Sequence, residues 1–136
     1  MAWNRTMPER PVVAVAGVTG AVGTEMLAVL EQRSFPAERV VALASARSAG
    51  KRVPYAGSEL LVEEMTEESF ADVDIALFSA GASISKRFRE AVTSAGCVMI
   101  DNSSAFRMDA DVPLVVPEVN AKDLAWHKGV IANPNC

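Results

Sequence analysis

Three glycines, Gly17, Gly20 and Gly23, follow the run PVVAVAG at a G-x-x-G-x-x-G spacing. An apolar, valine-rich run ending in glycine is the pattern of a buried strand. Glycines at its end let the chain turn tightly, let a phosphate approach the backbone, and let the next helix pack closely. The start of that helix adds N–H donors and a partial positive charge, so this spacing points to a dinucleotide. The second stretch with chemical potential is LASARSAGK. An NAD site places Asp or Glu about 20 residues after the glycine loop, on the ribose 2′-hydroxyl. Here that strand ends in Ser45, Arg47, Ser48 and Lys51, with no acid. A carboxylate would repel a 2′-phosphate, whereas a guanidinium and two hydroxyls would hold it, so NADP is expected over NAD. A measured preference for NAD would refute this, and a solvated basic turn is the alternative. The third stretch is IANPNC, in which Cys136 follows Asn135. Taken alone, Cys136 is either an incidental cysteine or a reactive thiol.

These residues need a scaffold that brings distant segments together. The length of 136 residues suits one domain, and 50% apolar content allows a real core. A net charge of −4 argues against a general nucleic-acid binder, but a small anion needs only local cations. No apolar run approaches the ~20 residues of a membrane span. The polar start MAWNRTMPERP lacks the apolar run of a secretory signal. A cytoplasmic protein with a flexible extension over residues 1–11 is expected. The two cysteines are too few for a disulfide framework or a zinc site. Cys97, inside CVMI, reads as a small buried hydrophobe.

Strand-like and helix-like stretches alternate. PVVAVAG, VVALAS, DIALFSAG, CVMID and GVIANP read as strands. AVGTEMLAVLEQR has helical spacing, with Val22, Met26, Leu27 and Leu30 on one face. SISKRFREAVTSAG reads as a helix capped by Ser83 or Ser85, turning Phe88 and Val92 inward and closed by Gly96. KRVPYAGSELLVEEM is broken by Pro54 and Gly57, and Glu59–Met65 forms a strand or an edge ribbon. PLVVPEVN is extended and interrupted by Pro117, and AKDLAWHK is a short helix capped by Asn120. The strands are apolar throughout, so both faces of the sheet are covered. The expected fold class is α/β: a Rossmann-like, doubly wound, mostly parallel sheet with helices on both faces. Ligands in such sheets bind beyond the carboxyl ends of the strands. GVTGAVG, FSAG, DNSSAFR and NPNC should therefore converge on one edge.

GVTGAVG, LASARSAGK, FSAG, DNSSAFR, VPEVN and NPNC occur in this order. With them, the stretch from Val12 to Cys136 resembles the N-terminal part of the bacterial aspartate-β-semialdehyde dehydrogenases. That family carries out NADPH-dependent reductive dephosphorylation of β-aspartyl phosphate to aspartate semialdehyde, an early step towards lysine, methionine, threonine and isoleucine. The resemblance makes Cys136 the nucleophile and Asn135 the residue that helps position thiol and oxyanion. It places Arg107 and Asn102 on the phosphate of the substrate or on inorganic phosphate. It places Gly17, Thr19, Gly20, Ala21, Val22, Gly23, Ser45, Arg47, Ser48, Ser79, Ala80 and Gly81 along NADP. Pro117, Glu118 and Asn120 come near the cofactor or a subunit contact. A homodimer or homotetramer is implied for the full-length protein.

The residue types suit that reaction. A thiolate can displace phosphate from an acyl phosphate and form a thioester, which accepts hydride. Arg107 can pair with the departing phosphate, and Asn135 can donate to the oxyanion. The alternative for Arg107 is a surface pair with Asp109 or Asp111. Asp101 reads as a strand-end carboxylate that accepts backbone N–H bonds in the following turn. His127, the one histidine, falls near the end of a short helix, where exposure or a dipole role is expected rather than acid–base work. By the resemblance, the catalytic histidine, the groups that grip the substrate's amino and carboxylate ends, and the dimer-forming domain all lie beyond residue 136. The chain alone is therefore expected to be inactive. Rival readings are an N-acetyl-glutamyl-phosphate reductase, a non-catalytic dinucleotide-binding module, and a purely structural fragment.

Overall fold

The computed structural model describes residues 5–134, so Asn135 and Cys136 lie outside the described residues. The strands are β1 (Val12–Ala16), β2 (Arg39–Ala44), β3 (Arg52–Tyr55), β4 (Ser58–Glu64), β5 (Ile75–Phe78), β6 (Val98–Asp101) and β7 (Val130–Ala132). They form one sheet in the order β3-β4-β2-β1-β5-β6-β7. Every pairing among them is parallel except the β3–β4 hairpin. The chain crosses from β1 to β2 through helix α1 (Ala21–Gln32) and from β5 to β6 through α2 (Ala82–Ser94). A helical turn, α3 (Pro117–Asn120), and a 3₁₀ segment, Ala121–Trp126, precede β7.

Alternation along β1 shows why these runs must be strands. Ala14 and Ala16 pack on one face with Phe70, Phe78, Phe88, Val92 and Met99. Val15 packs on the other with Leu27, Val40, Ala42 and Val62. The first set contains the inward residues of α2 and the second that of α1, so the two helices cover opposite faces. A continuous apolar run is what a strand buried on both sides requires. Three phenylalanines anchor the α2 face, with Phe70 stacked 5.8 Å from Phe78 and edge-on 6.3 Å from Phe88. Truncating one such ring to alanine costs about 3–5 kcal/mol.

The ambiguous stretch resolves into the β3–β4 hairpin. Ala56 and Gly57 both have positive φ, 51° and 79°, as a two-residue turn matched to strand twist demands. Pro54 is tolerated because β3 is an edge strand.

Four local expectations are corrected. Val22 is 38% exposed, because the inward stripe of α1 runs through Gly23 and Leu27 and Val22 flanks it. Helix α2 starts at Ala82, so neither Ser83 nor Ser85 caps it; Gly81 holds the cap position without a side-chain bond. Ser85 is instead fully buried. Pro117 opens a helical turn rather than interrupting an extended segment, since its fixed φ suits a first helical position. Asn120 does not cap the following segment. Its side chain turns back, accepting from the Val116 N–H at 2.8 Å and donating to the Leu114 carbonyl at 2.8 Å.

Ahead of β1, Arg5 bonds to Asp74 and to the Gly96 carbonyl, and Asp74 also accepts from the Val12 N–H at 2.7 Å. No helix among the described residues is long and apolar enough to cross a membrane.

Candidate functional site

The strand order reverses at β1: the chain leaves it towards β2 on one side and, from β5, towards β6 on the other. Loops after β1 and β5 therefore separate, and a crevice opens between them. Gly17 occupies the left-handed region at φ +87°, and a Cβ there would stand 2.3 Å from the Ser79 carbonyl oxygen. Its N–H donates to the Leu43 carbonyl at 2.9 Å, which ties the loop to β2. A Cβ on Gly23 would come within 2.0 Å of the Gly17 oxygen. Gly20 differs: the same addition would meet only the Gly17 oxygen, at 3.5 Å. Two of the glycines thus hold strand, loop and helix together, and the third leaves its backbone open. No side chain caps α1, whose N-cap residue is Gly20. The first-turn N–H groups are donors without intrahelical partners, which suits an anion.

A cavity of about 440 Å³ fills this crevice. Gly17 and Thr19 line it from the first loop, Ser45 and Ala46 from the end of β2, and Ala80, Ile84, Arg87 and Phe88 from the β5 loop and α2. The Thr19 hydroxyl lies 3.4 Å from that of Ser48. Arg47 is exposed on the same turn as Ser48. Ala21 and Val22 stand exposed in the first turn of α1. Ser79 donates its N–H to Ala16 at 2.9 Å, and Gly81 takes φ +91° where β5 hands over to α2.

Two charged wall residues, Arg87 and Glu64, are not singled out by the sequence. Arg87 packs its guanidinium 4.9 Å above the Phe88 ring and lines the cavity. Within α2, Ile84, Arg87 and Phe88 stand at i, i+3 and i+4 and form the cavity-facing stripe, a signal present in the sequence. Glu64 arrives from the end of β4, where parallel pairing sets it opposite Ala44 of β2. Nothing in local spacing announces that neighbour. As a prediction, Gly20→Ala leaves the thermal midpoint within a few degrees, since replacing a glycine at N-cap costs little more than about 1 kcal/mol. It should weaken NADPH binding roughly tenfold or more by intruding where a phosphate meets the backbone, as read from a fluorescence titration.

The ends of β6 and β7 form the second half of the site. Asp101 and Ala132 are register partners, and Phe78 partners Asp101. Beyond them Arg107 joins the two ends: Nε donates to the Asn133 carbonyl at 2.9 Å and Nη2 to the Asn102 carbonyl at 3.0 Å. The Asn133 amide donates to Asn102 Oδ1 at 2.8 Å. Arg107 thus makes strand-end bonds rather than the surface pair weighed against it. Asp109 and Asp111 pair instead with Arg89 of α2, at 3.6 and 3.3 Å. The convergence of GVTGAVG, FSAG and DNSSAFR on one edge holds, as it does for NPNC as far as residue 134. Sequence places Cys136 three positions after Asn133.

The remaining candidates separate clearly. Cys97 is fully buried, and burial pushes its thiol up to about 12, with Arg5 opposing. A thiol that stays protonated is inert, so native protein at pH 7.5 should show no alkylation of Cys97 by iodoacetamide, while denatured protein labels it fully; mass spectrometry of peptides reads the difference. His127 is half-buried, and burial lowers its pKa below the usual value. Its Nδ1 accepts the Gly129 N–H at 3.0 Å, so it serves the turn into β7 as a neutral ring rather than as a cation at a helix end. Pro117, Glu118 and Asn120 belong to the helical turn α3 and are not among the residues that line the cavity. Asn135 and Cys136 fall outside the described residues.

A family model, semialdehyde dehydrogenase, NAD binding domain, matches residues 12–127. The chain belongs to the semialdehyde dehydrogenase family. An aspartate-semialdehyde dehydrogenase of Prochlorococcus marinus is 52% identical across 100% of this chain and 40% of that protein. One from Bacillus subtilis is 55% identical across 91% of this chain and 36% of that protein. The solved structure of aspartate semialdehyde dehydrogenase II from Vibrio cholerae, complexed with ASA, superposes with a TM-score of 0.90 at 46% identity, covering 93% of this chain and 42% of that one. The chain thus spans about two fifths of the length of these members of the family. The matched region includes the glycine loop, the 45–51 turn and Arg107.

Proposed function

We propose that this chain is the NADP-binding part of an aspartate-semialdehyde dehydrogenase, with residues 12–136 as one dinucleotide-binding domain and 1–11 as an extension. The observation that carries the reading is the pairing of an open glycine crevice with Arg107, which bridges the ends of β6 and β7 on the same sheet edge. The crevice fits a dinucleotide: Gly20 leaves room for a phosphate, α1 presents uncapped N–H groups, and Ser45 and Arg87 line the wall. Arg47 and Ser48 stand on the adjoining turn and suit a 2′-phosphate. When bound, NADPH supplies hydride to the acyl carbon.

The chain's own residues supply the nucleophile and the contacts to phosphate and oxyanion. The Cys136 sulfur attacks the acyl phosphate; a C–S bond forms as the C–O bond to phosphate breaks, and phosphate leaves with the electron pair. Arg107 and Asn102 hold that phosphate, and Asn135 donates to the developing oxyanion. Once the acyl carbon is reduced, the C–S bond breaks, the aldehyde leaves and sulfur keeps the electron pair; removing the thiol's proton and returning it fall to groups beyond residue 136. The substrate class is therefore a small acyl phosphate in one direction, and an aldehyde with inorganic phosphate in the other. Homodimeric or homotetrameric assembly and a cytoplasmic location belong to the same proposal.

The test uses the full-length protein. NADP reduction is followed with aspartate semialdehyde, with and without phosphate, and with N-acetyl-glutamate semialdehyde in parallel. Phosphate-dependent turnover on aspartate semialdehyde is expected. Faster turnover on the acetylated substrate would transfer the chain to the rival reductase, and nucleotide binding without turnover on either would make it a binding module.

A further inference from the structure

Resting on the reading that Arg107 and Asn102 hold phosphate, we propose that Asp101, acting through Ser85 and Ser103, is the positioning group of that anion site.

Asp101 is fully buried at the end of β6. A buried carboxylate is costly unless every lone pair is met. Here hydroxyls and an amide meet it, rather than a cation. Ser85 donates to Oδ1 at 2.6 Å, Ser103 donates its hydroxyl to Oδ2 at 2.6 Å, and the Ser103 N–H reaches Oδ1 at 3.2 Å. The two hydroxyl contacts have the length of charge-assisted bonds. Ser103 passes the constraint on, since its oxygen accepts the Ala105 N–H at 3.1 Å. One carboxylate thus shapes the backbone from 101 to 105.

The anion-site residues hang from that turn. Asn102 donates its N–H to Phe78 at 2.9 Å, and its carbonyl receives Arg107 Nη2. If the turn relaxes, the Asn102 carbonyl moves and the guanidinium loses one of the two oxygens that orient it. A second anchor lies outside: Arg89, one helical turn after Ser85, pairs with Asp109 and Asp111 and covers the Phe106 ring at 4.8 Å. Partly exposed ion pairs contribute little, which leaves the buried carboxylate as the main restraint.

The experiment compares full-length wild type with Ser103→Ala, Ser103→Thr and Asp101→Asn. Three quantities are read: KM for phosphate, KM for NADP, and the rise in thermal midpoint that phosphate produces. Ser103→Ala and Asp101→Asn should raise the phosphate KM about tenfold and blunt the phosphate-induced rise, with the NADP KM within about twofold of wild type. Ser103→Thr keeps the hydroxyl and should behave as wild type. Should Asp101→Asn fail to fold, the two Ser103 variants decide. Unchanged phosphate dependence in Ser103→Ala overturns the positioning role, as does an equal rise in both KM values. A wild type that ignores phosphate in turnover and in melting overturns the phosphate reading, and this proposal with it.

Discussion

On the proposed mechanism, replacing Cys136 with alanine in the full-length protein should abolish phosphate-dependent NADP reduction, lowering kcat by a factor on the order of 10⁴ or more, because the covalent step loses its sulfur. Among the described residues the only other thiol is Cys97, which is buried at the far end of β6 and held protonated. It cannot substitute. NADPH affinity should stay within about twofold, since the residues lining the crevice come from the first loop, the β2 end, the β4 end, the β5 loop and α2. A fluorescence titration and a steady-state assay on the same preparation separate the two effects. Incubating wild type with an acyl phosphate in the absence of NADPH should leave a mass adduct on the peptide that contains Cys136, and the alanine variant should show none. Retained turnover in the variant would remove the basis of the mechanism.

Gly23→Ala should destabilise the fold, against the usual expectation for a helix. Alanine in a helix interior is worth roughly 1 kcal/mol over glycine. Here the added Cβ would lie 2.0 Å from the Gly17 oxygen and 2.8 Å from the Val18 Cα, both backbone atoms of the loop that it must clear. Backbone cannot swing aside as a side chain can, so overpacking of about 3 kcal/mol outweighs the propensity gain. A net loss near 2 kcal/mol should lower the thermal midpoint of the domain by roughly 5–10 °C. Displacement of the loop should also cost NADPH affinity. The comparison with Gly20→Ala, in a site with room, makes the effect specific: a Gly23 variant that melts at or above wild type would show that the α1–β1 approach is looser than the geometry states.

Much of this was legible in the chain. Apolar runs without polar alternation demanded strands buried on both faces, and glycines at the first strand end demanded a close helix approach. What failed was local. Ser85 was read as a cap because serine at a helix start usually is one, yet it lies a full turn in, where Asp101 supplies a stronger acceptor. Asn120 was read as a cap for the same reason, and its side chain instead closes the turn behind it. Val22 flanks the buried stripe of α1, because Gly23 takes the inward position that an apolar count alone assigns to valine.

Fold class, order of elements, the glycine loop and the family can all be read along the chain, because they depend on periodicity, turn chemistry and ordered motifs. Asp101 accepts the Ser103 N–H as the local pattern implies, but three pairings come from three-dimensional packing: Arg107 bonds the ends of β6 and β7 rather than Asp109 or Asp111, Glu64 reaches the crevice wall from a hairpin strand, and Asp101 is buried against Ser85. Each of these pairs residues distant along the chain or chooses among equally near partners. Strand order and register set that choice, and no local spacing encodes it.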